Sequence, residues 1–311
     1  LNPTFAGTGT TIFTVMSALA NQHGAVNLGQ GFPDTDGPLA LRERAAQALI
    51  EGPNQYPPMM GVESLRQALA AHAKRFYDLN YDWRSEIVVT SGGTEALTAS
   101  IMGLVKPGDE VVLIEPAYDS YRPIVEAVGG IAKPIRLVAP GWALTEEALA
   151  AAFSAKTKAI MLNSPMNPAG KVFSKVELDL LAKFLTKFDA LAICDEVYEH
   201  LTFDGLKHTP FATLPGMYER SVRVGSAGKM FSLTGWKVGW VEGPAALIGA
   251  VAKAHQFITF TTPNALQIAV AHGLNTAEDF FLNLAKELQG NRDYLARELK
   301  EIGFNPLPAQ G

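Results

Sequence analysis

The chain is poor in cysteine, in long apolar runs and in clustered positive charge. Its 311 residues include one cysteine, Cys194. That count excludes an internal disulfide and every metal site built on paired cysteines, so no metal is expected and a reducing, cytoplasmic compartment is. No apolar run approaches the roughly 20 residues that a bilayer span needs. The opening "LNPTFAGTGTTIF" lacks the basic-then-apolar layout of a signal peptide. With 26 basic and 31 acidic residues the net charge is −5, and no run of Lys and Arg would hold a phosphate backbone, so nucleic acid is not an expected partner. Internal repeats, low-complexity tracts and Ser/Gly linkers are missing too, which leaves domains built from contiguous layers.

What is present is a chain with 48% hydrophobic residues, long enough for a large core and a smaller satellite. From about residue 86, β-rich runs alternate with amphipathic helical runs, the pattern of a mostly parallel sheet covered by helices. The strand candidates are "EIVVTS", "EVVLIEP", "KAIMLNSP", "ALAICDEVY", "SVRVGS" and "KVGWVEG". In "SKVELDLLAKFLTKF", Leu178, Leu181, Ala182 and Leu185 share one helical face that should cover the sheet. In "VESLRQALAAHAKRFY", His72 falls on the apolar stripe with Leu65, Ala68, Leu69 and Phe76 and is expected to pack in the core. Residues 277–302 read as one long helix, suited to bridging two domains. The Pro- and Gly-rich "NLGQGFPDTDGP" reads as an ordered irregular segment that could line a site.

In α/β sheets ligands collect at the carboxyl ends of strands. Four such ends carry polar or glycine-rich sequence. "SGGTEAL" is a glycine turn entering a helix, which offers backbone N–H groups and a positive dipole end to an anion. "NSPMNPAG" supplies hydrogen-bond donors, "DEVY" a carboxylate and "GSAGK" an amine. Each alone has a plain structural reading, as a connection, a turn, a solvated acid or an exposed lysine. One chemistry asks for all four: pyridoxal phosphate catalysis, with a lysine Schiff base and an acid that keeps the pyridine nitrogen protonated. Other motifs fail on detail. A P-loop is broken by Arg223 and Met230, "GTGTTI" is not a GxGxxG and follows no strand, "DEVYEH" lacks the first histidine of a zinc motif, and there is no GxSxG.

Seven stretches, in order, carry a resemblance to a known family: "NLGQGFPD", "NQYPPMMGVESLR", "VTSGGTEAL", "EPAYDSY", "NSPMNPAGKVF", "CDEVYEH" and "GSAGKMFSLTGWKVGW". Nearly the whole chain resembles the class I aminotransferases of the fold-type-I pyridoxal phosphate enzymes. Within them it is similar to the group containing kynurenine aminotransferase (glutamine transaminase K) and bacterial methionine aminotransferases; diaminopimelate-pathway relatives look similar too. The resemblance implies an α/β fold: a mostly parallel seven-stranded sheet sandwiched by helices, in a large domain over 38–285. Residues 1–37 and 286–311 would form an N-terminal segment and part of a smaller α/β domain. The rest of that domain, with the arginine that clamps the substrate α-carboxylate, would follow "PLPAQG"; a chain without it should capture cofactor but transaminate poorly.

The resemblance also implies roles. Lys229 matches the Schiff-base lysine and Lys237 a phosphate-binding position where many relatives carry arginine. Asp195 matches the carboxylate facing the pyridine nitrogen, Asn167 and Tyr198 the donors to the ring hydroxyl, and Tyr118 the aromatic stacked on the ring. Gly92, Gly93 and Thr94 would cradle the phosphate, helped by Ser226. Tyr56 matches a tyrosine reaching the neighbouring subunit's phosphate, which implies a homodimer. Phe13 and Gly31 would line the substrate side, with Asn167. The expected reaction is ping-pong transfer of an amino group from an L-amino acid to a 2-oxo acid. Kynurenine, methionine, glutamine and aromatic amino acids all stand as donors, and Phe13, Tyr118 and "FITFTTPNA" suggest an apolar pocket. A C–S β-lyase and a non-catalytic cofactor-binding regulator stand as alternatives.

Cys194 and Glu196, flanking Asp195 along the strand, should face away from it and serve packing and structure.

Overall fold

Runs of Val, Ile and Leu bounded by polar turns form strands at all six expected places. The computed structural model describes residues 3–6, 9–27, 29, 31 and 33–311; Gly7 and Thr8 of "GTGTTI" and Leu28, Gln30 and Phe32 of the "NLGQGFPD" match lie outside the described residues. The strands are β1 (Ile87–Thr90), β2 (Glu110–Glu115), β3 (Ile131–Arg136), β4 (Thr157–Asn163), β5 (Leu191–Asp195), β6 (Ser221–Ser226) and β7 (Gly239–Glu242). They form one sheet in the order β1-β7-β6-β5-β4-β2-β3. β7 runs antiparallel to both of its neighbours and every other pairing is parallel.

β3 was not among the residue-level candidates. Its sequence "IAKPIR" is largely solvent-facing and carries Pro134, which only an edge strand tolerates. Two other limits moved. β5 ends at Asp195, so "EVY" lies beyond the strand, and β7 begins at Gly239, which leaves Lys237 in a left-handed turn with φ 54°.

Alternation along β2 sorts the two layers. Val111 and Leu113 face a cluster with Leu97, Ile101, Ile248 and Val251, which belong to the helices Gly93–Leu104 and Ala245–Ile258. Val112 and Ile114 face the other layer, where Leu178, Leu181, Phe184 and Leu185 of the helix Lys175–Phe188 pack beside Cys194. Each buried leucine there contributes roughly 1.5–3 kcal/mol. That helix starts in a capping box: the Ser174 hydroxyl accepts the Glu177 N–H and the Glu177 carboxylate accepts the Ser174 N–H. The helix Glu63–Tyr77 closes a third cluster with Phe231, Trp240 and Phe281, and His72 is buried there, as its place on the stripe requires.

The helix Glu278–Glu301 runs unbroken across the expected boundary at residue 285. Among the described residues no helix is long and apolar enough to cross a membrane.

Candidate active site

The central strands β4, β5 and β6 are parallel, so their carboxyl ends open on one edge of the sheet. There Gly92, Gly93, Thr94, Tyr118, Asn167, Asp195, Tyr198, Ser226, Lys229 and Lys237 line one cavity of about 220 Å³. Ten of the expected site residues, drawn from six separate stretches of chain, thus meet in one place.

Local chemistry explains each position. β1 ends in a turn in which Gly92 takes φ 84°, a conformation that favours glycine, and the helix Gly93–Leu104 follows at once. Space demands the same residue type opposite: a Cβ on Gly239 would lie 2.5 Å from the Gly92 carbonyl carbon. The helix therefore opens into the cavity with its first N–H groups free of side-chain caps. Lys237 arches over Gly92, where an added Cβ would stand 3.3 Å from Nζ. Among the described residues, neither Lys237 nor Lys229 has a hydrogen-bond or ion-pair partner, so two amines and a helix N-terminus point at one small space. A phosphate monoester beside an aldehyde fits that donor set.

At the end of β5, Asp195 is buried and accepts the Tyr121 hydroxyl at 2.6 Å and, more weakly, the Val197 N–H at 3.4 Å. Burial raises its pKa, while the Tyr121 bond, the Val197 N–H and the Lys229 charge pull the other way. Lys229 Nζ stands 5.7 Å from the centre of the Tyr198 ring. Burial lowers the lysine's pKa; Asp195 opposes that shift and Lys237 adds to it. The Tyr198 hydroxyl is pushed up to about 12 by burial and by the nearby Asp195 and Tyr118, against a hydrogen bond with Asn167.

Two residues here were missed from the sequence. Tyr121, three residues after Tyr118 in "EPAYDSY", is buried and is the principal support of Asp195. Asn163 ends β4; its amide donates to the Asp195 carbonyl at 2.8 Å and its oxygen accepts the Asn167 N–H at 2.6 Å, tying two cavity residues together. Tyr121 carries a sequence signal, as the second tyrosine of "EPAYDSY"; Asn163 has none beyond its place at a strand end.

A second chamber of about 780 Å³ shares Tyr118, Asn167, Tyr198 and Lys229 with the first. Phe13 and Gly31 line it, together with Trp142, Met166 and Phe203. Arg292 stands at its wall, but its guanidinium is held by both oxygens of Asp204, by Asp293 and by the Ala309 carbonyl. Among the described residues, none of the "FITFTTPNA" segment lines this chamber. Phe257 is 84% exposed and Phe260 packs edge-on against Tyr56, away from the chamber, because the segment ends the helix Ala245–Ile258 at the surface. Tyr56 itself is outside both cavities and 82% exposed.

Cys194 and Glu196 do face away from Asp195. Cys194 is fully buried among apolar side chains and Glu196 joins a buried ionic cluster around Arg223.

Residues 23–311 match the family model described as "Aminotransferase class I and II". The chain belongs to that family. It is 47% identical, over 95% of its length and 75% of the relative's, to a probable N-succinyldiaminopimelate aminotransferase of Mycobacterium tuberculosis. It is 42% identical to the methionine aminotransferase of Escherichia coli, over 97% of this chain and 78% of that one. The solved M. tuberculosis N-succinyldiaminopimelate aminotransferase superposes with a TM-score of 0.97 at 45% identity, covering 99% of this chain and 81% of that one. The fold is therefore that of the pyridoxal phosphate aminotransferases, and the chemistry is pyridoxal-phosphate-dependent transamination of small molecules.

Proposed function

We propose that this aminotransferase uses Lys229 as its catalytic amine and takes an L-amino acid of methionine, glutamine, kynurenine or aromatic type as donor, with a 2-oxo acid as acceptor. The observation that carries the reading is the half-buried Lys229 amine. It has a lowered pKa and no hydrogen-bond partner among the described residues, and it shares one cavity with Asp195 and an uncapped helix N-terminus.

When bound, pyridoxal phosphate supplies an aldehyde carbon and a ring that accepts electrons. Gly93 and Thr94 would bind its phosphate through backbone N–H groups, with Gly92 shaping the turn that cradles it and Ser226 and Lys237 completing the grip. Asp195 would hold the ring nitrogen protonated, and a cation there would in turn favour the ionised carboxylate against burial. Asn167 and Tyr198 would orient the ring hydroxyl, and Tyr118 would cover one face of the ring. Lys229 would first hold the aldehyde carbon; once freed by the incoming amino group, it would take the proton from the substrate Cα. Its lowered pKa suits that second task, since a base needs an unprotonated nitrogen.

The donor class is supported by the aromatic and apolar wall of the second chamber and by the engaged state of Arg292. A succinylated donor would instead call for an unengaged cation there. A homodimer is supported by the exposed apolar face around Tyr56, Phe257 and Phe260, from which Tyr56 would reach the partner's phosphate. A cytoplasmic setting is supported by the single, buried cysteine.

The test is an absorbance spectrum of the purified protein, loaded with pyridoxal phosphate and desalted, before and after methionine, kynurenine and glutamine are added separately. Conversion of the lysine-bound cofactor band to the pyridoxamine form by one of them is expected. A band that none of them changes contradicts the donor class, and no band contradicts the site.

A further inference from the structure

Behind the glycine turn lies a pair that the expected roles do not use. Glu95 sits in the first turn of the helix Gly93–Leu104 and is only 8% exposed; His255, on the helix Ala245–Ile258, is 0% exposed. One Glu95 oxygen accepts the backbone N–H of Ser91 at 2.8 Å, and the other lies 2.9 Å from His255 Nδ1. His255 Nε2 lies 3.2 Å from the Met59 carbonyl. The Thr259 hydroxyl is 3.4 Å from Nδ1, a weaker contact.

The protonation follows from the partners. A carbonyl oxygen only accepts, so Nε2 carries a hydrogen and donates to Met59. Nδ1 then either donates to an ionised Glu95 or accepts from a protonated one. In both arrangements one proton lies between the two side chains and the pair is neutral overall.

The location gives that neutrality a use. Glu95 fixes Ser91 and so the entry to Gly92, whose carbonyl the Thr90 hydroxyl also holds at 3.1 Å. An uncompensated carboxylate at this point would repel any anion at the helix start and oppose the dipole that attracts it. We propose that His255 is a positioning residue for the cofactor phosphate: it locks Glu95, and through it the Ser91–Gly92 turn, while cancelling the Glu95 charge beside the cradle. The proposal rests on the reading of Gly92, Gly93 and Thr94 as that cradle.

The experiment compares the binding of pyridoxal phosphate and of unphosphorylated pyridoxal by equilibrium dialysis, with thermal unfolding of the cofactor-free proteins as the control for folding. His255→Leu should weaken pyridoxal phosphate by about tenfold or more, because it strands a buried carboxylate next to an anion. Pyridoxal binding should change little. Adding Glu95→Gln to His255→Leu removes the stranded charge but keeps an acceptor for Ser91, and should restore the phosphate preference to within about threefold. If His255→Leu does not fold, His255→Gln with and without Glu95→Gln carries the same comparison. Equal losses for both ligands, an unchanged phosphate preference, or no rescue by Glu95→Gln would overturn the role. A parent protein that binds pyridoxal as tightly as pyridoxal phosphate would overturn the cradle reading, and this inference with it.

Discussion

Asp195 and Glu196 are consecutive carboxylates at the end of one strand, both buried, and they have opposite fates. Asp195 has one strong hydrogen bond, from Tyr121, and faces a cavity with an amine in it. Glu196 faces the other layer, where Arg223 Nε stands at 2.6 Å, His208 Nε2 at 3.0 Å and the Phe211 N–H at 3.1 Å. Burial alone would raise both; in Glu196 the Arg223 charge and the contacts with Arg223 and His208 win and its pKa falls, whereas in Asp195 burial wins. The saturated carboxylate holds the fold together, and the under-supported one is left with capacity for a ligand.

The Glu196 side is itself unbalanced. Arg223 also binds Glu199 at 2.9 Å and Glu242 at 2.7 Å, so one guanidinium serves three carboxylates. Burial would raise Glu199, but His72, His200 and Arg223 hold it down to about 2. Glu242 is pushed up to about 8, by burial first and then by Glu199 and Glu196, against the pull of Arg223. Its second oxygen is buried without a partner, the place where a proton would sit. His72, Glu199 and His200 bring three potential metal-ligating atoms within 4.8 Å of one another. The Nε2 atoms of the two imidazoles already bond each other at 2.8 Å, however, and Glu199 bonds Arg223 and Tyr77.

Lys229→Ala should have the largest effect, with turnover down more than about a thousandfold and thermal stability near the parent's, measured by single-turnover kinetics and calorimetry. Asp195→Asn should keep the cofactor but lower kcat by about a hundredfold or more. Glu196→Gln should leave kcat within about threefold and lower stability by about 1–3 kcal/mol; a reversal of the two outcomes would break the contrast. Arg223→Met strands the Glu196 and Glu199 carboxylates and removes the partner of Glu242, and should destabilise by about 3–5 kcal/mol in denaturant titration.

The pH dependence sharpens the same point. A raised carboxyl stabilises the folded chain fully below its unfolded pKa, near 4.5, and that contribution is lost as pH rises through about 8. Glu242→Gln should therefore flatten the fall in Tm between about pH 5 and pH 8; an unchanged slope would place the proton elsewhere. Lys237→Arg should have the smallest effect, tightening phosphate binding by about threefold through a forked donor.

Much of this architecture was legible because buried parallel strands are long apolar runs, as in "EVVLIEP" and "KAIMLNSP". β3 was not, since an edge strand with a proline and exposed side chains looks like a loop. The site was legible as four kinds of group at four strand ends, but the choice of Lys229 over Lys237 came from the resemblance. The structure adds a half-buried Lys229 beside Tyr198 and an exposed Lys237 over the glycine turn. Tyr121, Asn163 and His255 stayed hidden because each acts through a partner distant in sequence: His255 and Glu95 are separated by 160 positions and Tyr121 and Asp195 by 74. Periodicity carries no trace of such pairs.

The most direct measurement is borohydride reduction of the purified protein loaded with pyridoxal phosphate, followed by peptide mass mapping of the pyridoxyl group. Label on Lys229, and none on Lys237, is the expected result. Label on Lys237, or label scattered over surface lysines, would contradict the assignment of the catalytic amine.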